Sequence, residues 1–265
     1  MKKVLFALAF LAVAAAAFTG CKKEEKQDDK VVKRVTMCGD KWDKYYVTYN
    51  ENGTISAVQR NFDEEKNYWE KEWLFTWDGK NATAEYKEKG VKKGDRDCVF
   101  TFGDNGYLSS YASHWGDTWG FTYDKDGHVT KIVRVDKDNA VKANCVWEKG
   151  NLVKWSRFVE KTNAETGEKY MAEEWKLQTF TAEENIAGIF PDATDKADVN
   201  RWMFEVGYCG KASKNLLDEA VWEGAKDSAV QTYEKDDDGF VTVVSKVYGT
   251  DEPELYYYEW EKIKK

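Results

Sequence analysis

Histidine is nearly missing from this chain, and with it go most hydrolytic mechanisms. There are two, His114 and His128. A Ser-His-Asp or Cys-His enzyme would need one of them, and no G-x-S-x-G, H-E-x-x-H or phosphate-cradling glycine loop accompanies either. His128 follows a turn glycine directly and reads as a solvent-facing strand residue. Cysteine is sparse too, with none in a CxxC and no histidine cluster to make a metal site. No metal and no other cofactor is expected. Beyond residue 20 no apolar run reaches membrane length. Basic excess is absent: 40 Lys and Arg stand against 48 Asp and Glu, for a net charge of −8. Nucleic acid is therefore not an expected partner.

The one long uncharged run is at the start. Met1-Lys2-Lys3 precedes Val4 to Phe18, which carry no charge, and the run closes on Phe18-Thr19-Gly20-Cys21. It is too short to span a bilayer comfortably, and small residues before a single cysteine suit signal-peptidase cleavage. Residues 1–20 read as a lipoprotein signal peptide, with Cys21 the lipidated first residue of the mature chain. Residues 21–30 follow as a charged tether, KKEEKQDDK after the cysteine, too polar to fold. The address implied is the outer membrane, held by the N-terminal lipid. Lys22-Lys23-Glu24-Glu25 is similar to the export signal of surface-exposed Bacteroidales lipoproteins.

What is abundant is aromatic side chain, 12 Trp, 15 Tyr and 13 Phe, in a chain of mean hydropathy −0.73. That combination suits strands with one wet face. Residues 31–265 are expected to form a single β domain. Asn52-Gly53, Asn105-Gly106, Asp126-Gly127 and Asp238-Gly239 recur within a longer unit, and Lys149-Gly150 is a variant. An apolar residue stands two positions after each glycine (Ile55, Leu108, Val129, Leu152, Val241) and another five after it (Val58, Tyr111, Ile132, Trp155, Val244). Tyr49, Phe102 and Tyr123 precede three of the glycines by four. Glycine supplies the positive φ of a hairpin turn, so each unit reads as strand, turn, strand. The spacing of three between apolar positions departs from period two, which points to a bulge or to two covered faces. Trp77-Asp78-Gly79 is a weak copy, with Asn81 where an apolar residue is expected.

Fold class follows as all-β, an antiparallel meander of repeated hairpins forming a curled sheet or half-barrel. One short helix near 195–206 interrupts it, because Val199, Trp202, Met203 and Val206 fall at helical spacing; Trp202 should pack on a sheet face. A membrane-spanning barrel is disfavoured, since the chain ends Ile263-Lys264-Lys265 and charges fall on both strand faces.

The lipobox, the unit Phe121-Thr122-Tyr123-Asp124-Lys125-Asp126-Gly127, the late helix and Gly210-Lys211-Ala212-Ser213-Lys214-Asn215-Leu216-Leu217 together resemble Bacteroidales lipoproteins with a YD-type-repeat domain of unknown function. The resemblance implies fold and address, and leaves activity open.

Site candidates are few. Asp124-Lys125-Asp126-Gly127 and Asp236-Asp237-Asp238-Gly239 look like calcium loops, but the glutamate six residues past the glycine is Val133 or Ser245, so both read as turns. Cys38, Cys98, Cys145 and Cys209 are as suited to buried thiols as to disulfides, and their pairing is not legible. Ser113 to Gly120 is the most suggestive loop. His114, Trp115, Asp117 and Trp119, between glycines, have the chemistry of a sugar-stacking site, the indoles offering flat apolar faces and the polar groups fixing hydroxyls; both indoles tucked into the core is the competing reading. The expected function is a lipid-anchored envelope binding protein for a glycan, another extracellular nutrient or a protein ligand. A structural or amphiphile-carrier lipoprotein is the alternative. Carboxylate pairs for glycoside cleavage are judged only by their spacing in three dimensions, and the balance is against an enzyme.

Overall fold

The computed structural model describes residues 31–190 and 199–263. The signal peptide, Cys21 and the tether lie outside the described residues, as does the front of the expected helix.

The strands are β1 (Lys33–Asp40), β2 (Lys44–Tyr49), β3 (Ile55–Asp63), β4 (Tyr68–Asp78), β5 (Asn81–Glu88), β6 (Val91–Lys92), β7 (Cys98–Phe102), β8 (Leu108–Ala112) and β9 (Thr118–Tyr123). They continue as β10 (Val129–Arg134), β11 (Ala140–Glu148), β12 (Asn151–Thr162), β13 (Lys169–Glu184), β14 (Asn215–Trp222), β15 (Ala229–Lys235), β16 (Val241–Tyr248) and β17 (Glu254–Lys262). Each pairs antiparallel with the next, except that β6 is a two-residue ribbon on β5, which also pairs β7. β17 pairs back onto β1, from Lys33↔Lys262 to Asp40↔Tyr256. The sheet therefore closes into a barrel, where the sequence had suggested a curled sheet or half-barrel. Closure leaves no free edge, the usual liability of a long meander.

The repeat explains the wall. Next to each Asx-Gly turn the register slips by one, as at Thr48/Tyr49, Thr101/Phe102 and Glu234/Lys235. This bulge reconciles a spacing of three with one inward face: Ile55 and Val58, Leu108 and Tyr111, Val129 and Ile132 are all buried. A second regularity locks hairpin to hairpin. An aromatic on the following strand donates to the carbonyl of the apolar residue near the strand start: Trp77 Nε1 to Ile55 O, Tyr123 Oη to Leu108 O, Trp147 Nε1 to Val129 O and Trp260 Nε1 to Val241 O, each at 2.7 Å. Tyr49 to Val35 O and Tyr233 to Leu217 O repeat it at 2.8 and 2.6 Å. The weak copy at Gly79 breaks both rules together. Asp78 faces Asn81 without a slip, and Asn81 Oδ1 instead accepts from the backbone N–H of Phe102, a residue whose side chain has no donor.

All the Asx-Gly turns lie at one end, with Val31 and Ile263. In place of a turn, β13 and β14 are joined there by a longer stretch whose described residues, 185–190 and 199–214, fold into the barrel. The expected helix is one turn, α1 (Trp202–Glu205). Trp202 packs inside the barrel rather than on an open sheet face, its ring 5.9–6.0 Å from Trp73, Phe75, Phe100 and Tyr208. Met203 and Phe204 are equally buried. The plug is fastened at the rim by Leu108 N to Tyr208 O, Lys211 N to Gly127 O and Lys214 N to Gly150 O. Deeper, Glu205 accepts from Tyr258 Oη (3.1 Å) and the Phe190 N–H (3.2 Å) and pairs with Arg201 (3.2 Å). A charge this buried must be fully paired to persist, and this one is.

Outward positions are wet. On β5, Ala82, Ala84 and Tyr86 face in, while Glu85 pairs with Lys87 and Lys92 outside. Asn144 bonds Glu173 across the outer surface. Cys38, Cys98, Cys145 and Cys209 are free thiols. His128 is buried, against the solvent-facing expectation, stacked on Trp147 at 4.3 Å and held by Asp124 at 3.0 Å. No helix among the described residues is long and apolar enough to cross a membrane.

Candidate functional site: an aromatic pocket at the loop end

The end opposite the Asx-Gly turns carries most of the exposed large apolar residues, among them Trp42, Phe62, Trp115, Tyr170 and Met171. Trp42 is the most exposed, at 72%. It does not wave freely. Gly39 has φ +142°, and a Cβ there would meet the Asp43 carbonyl oxygen at 1.9 Å, so only glycine lets the β1–β2 loop fold back. Asp40 Oδ1 then accepts from the N–H groups of Trp42 (2.7 Å) and Asp43 (2.8 Å), an Asx turn. Asn61 donates to Trp42 O at 2.5 Å and accepts from Lys44 N at 2.9 Å. Arg60 holds Asp43 at 2.9 Å.

Beside this loop is a pocket of about 400 Å³, lined by Trp42, Leu255, Tyr256 and Tyr257 with the carboxylates of Asp40, Glu252 and Glu254. Its aromatic walls are backed by cations. The Arg201 guanidinium lies 4.1 Å from the Tyr256 ring and Lys44 Nζ 5.5 Å from that of Tyr257. Lys41 Nζ is 4.9 Å from the Trp42 ring. Flat rings next to carboxylate acceptors can stack an apolar face of a ligand and fix its hydroxyls or amines.

The loop singled out by sequence is at the same end, but its four residues do not form one surface. Trp115 is 66% exposed. Trp119 is buried, stacked on Tyr111 at 5.3 Å with the Arg134 guanidinium 4.7 Å from its ring. Asp117 is committed to Arg134 at 2.6 Å. His114 is buried and stacked on Tyr86 at 3.9 Å, with Nδ1 3.9 Å from Cys98 Sγ and no partner for Nε2. Burial lowers the His114 pKa, while burial raises that of the Cys98 thiol. An inaccessible thiol held protonated is a poor nucleophile. Trp42 carried no repeat signal, and its only local mark is Gly39-Asp40, the glycine and Asx acceptor that set the loop.

No family model and no curated protein matches the chain. Among solved structures, a porin-like protein from Bacteroides uniformis superposes with a TM-score of 0.61 at 13% identity, covering 86% of this chain and 98% of that one. A porin-like protein from Bacteroides vulgatus gives 0.51 at 11% identity, with 87% and 99% covered. At such identities the likeness is one of fold: the closed antiparallel barrel is a shape this chain shares with porin-like proteins of Bacteroides.

Proposed function

We propose that this protein is a lipid-anchored envelope lipoprotein, related to the Bacteroidales YD-type-repeat proteins, that presents a plugged, water-facing barrel and binds a carbohydrate at its loop end. The observation that carries the reading is Trp42, a 72% exposed indole locked by Gly39, Asp40 and Asn61 over a pocket of tyrosines and carboxylates. Holding an indole rigid in water gains the fold nothing, whereas a pre-set aromatic lowers the ordering cost of binding. Three carboxylates against Lys41 favour a neutral or amino sugar over an acidic one. Channel function is disfavoured, because α1 and its aromatic neighbours occupy the barrel interior. So is hydrocarbon around the wall, since spanning barrels turn an apolar band outward, and Glu85, Lys87 and Glu173 face out here.

Residues 31–265 form one compact unit with its own core and can be tested alone. Against a panel of neutral, amino and acidic oligosaccharides, a ligand should quench Trp fluorescence, and Trp42→Ala should weaken it by roughly 1–3 kcal/mol with melting unchanged. Binding that survives Trp42→Ala would remove the site. The anchor has a separate test in the full chain: Cys21→Ala should abolish labelling by a palmitate analogue, and retained label would refute lipidation.

A further inference from the structure

The other end of the barrel holds a second, chemically opposite cleft. About 500 Å³ opens between the plug and the rim, and half-buried Tyr49, Tyr107 and Trp260 form its walls. Four cations line it, Lys33, Arg34, Lys211 and Lys214, against two acids, Glu184 and Glu205. Glu205 is already answered from inside by Arg201, Tyr258 and the Phe190 N–H. Lys33 is occupied by Asp236 and Asp238, and Arg34 by Glu261. Lys211 and Lys214 are exposed and have no carboxylate partner among the described residues. Their backbones are nevertheless fixed, by the bonds to Gly127 O and Gly150 O. In a chain of net charge −8, two unpaired cations on a fixed backbone beside an aromatic cleft are a local reversal of sign. Such a concavity concentrates anions.

We propose that this cleft binds a small amphiphilic anion, its apolar body against Tyr49, Tyr107 and Trp260 and its carboxylate or phosphate head at Lys211 and Lys214. The site is independent of the Trp42 pocket, with which it shares no lining residue. Neither the packed barrel interior nor the acidic loop end would accept such a ligand.

The test is titration of residues 31–265 with laurate and with dodecyl phosphate, followed by Trp fluorescence and calorimetry, with dodecyl maltoside, acetate and inorganic phosphate in parallel. Laurate and dodecyl phosphate should bind one to one, at least tenfold more tightly than dodecyl maltoside or either small anion. The exposed pair Lys211→Glu, Lys214→Glu should weaken laurate more than tenfold without changing the melting temperature, and Trp42→Ala should leave laurate affinity unchanged. Equal binding of dodecyl maltoside, wild-type affinity in the double variant, or no saturable laurate binding below its aggregation concentration would each overturn the proposal. Preference for inorganic phosphate over laurate would do so as well.

Discussion

Trp147→Phe probes the hairpin lock at one position. The indole N–H is 2.7 Å from Val129 O, at a bulge where β10 slips against β9 between Val129 and Lys131. Val129 is 2% exposed, so water cannot replace the donor. Phenylalanine keeps a ring against His128, now 4.3 Å from the indole, but orphans the carbonyl. An unsatisfied buried acceptor costs about 1–3 kcal/mol, and the smaller ring adds about 1 kcal/mol of lost burial. The expected loss is about 2–4 kcal/mol. With a urea slope of about 3 kcal/mol/M, the midpoint should fall by about 1 M at unchanged slope. Phe102→Leu is the control, because Phe102 makes no such donation and its strand is tied instead through Asn81: it should lose packing alone. A Trp147→Phe midpoint within 0.2 M of wild type (about 0.6 kcal/mol at that slope) would show that the indole–carbonyl bonds are incidental to the barrel.

Two further outcomes follow from the interior. Trp202→Ala should cost about 3–5 kcal/mol, the usual figure for emptying a buried Trp site, whereas Trp202→Phe should cost less, since Trp202 Nε1 has no hydrogen-bond partner to lose; equal thermal stability of Ala variant and wild type would mean the plug does not support the barrel. His114 gives a pH dependence of definite sign: burial lowers its pKa in the folded state, so the unfolded chain binds the proton more readily and stability should fall as pH drops below about 6.5. Denaturant midpoints between pH 7.5 and 5 should decline more steeply in wild type than in His114→Gln, and identical slopes would contradict the burial of this imidazole.

The hairpins were legible because their cause is local. A glycine at positive φ, an Asx before it and two apolar residues three apart specify a turn, a bulge and an inward face without reference to anything distant, and Tyr49-to-Val58 and Phe102-to-Tyr111 behave as the sequence pattern requires. On β4 and β17 the alternation of Trp73, Phe75, Trp77 and of Tyr256, Tyr258, Trp260 is equally local: Trp73 and Tyr258 are buried in the core, and the others pack against it half-buried. Closure was not legible. Whether the last strand meets the first depends on the summed twist and shear of the sixteen strands that make the wall, β6 aside, and no single segment encodes the pairing of Lys33 with Lys262. Nor could a helical stripe at Val199 to Val206 say which surface it would meet; only a closed wall turns one sheet face into an interior for Trp202. The site divides the same way. Glycines around Trp115 and Trp119 announced a loop, but the strand pairing put Trp119 inside against Tyr111 and left Trp115 outside. The pocket at Trp42 joins residues 40–42 to 252–257, and the contact across the β1–β17 seam that creates it exists only once the barrel has closed.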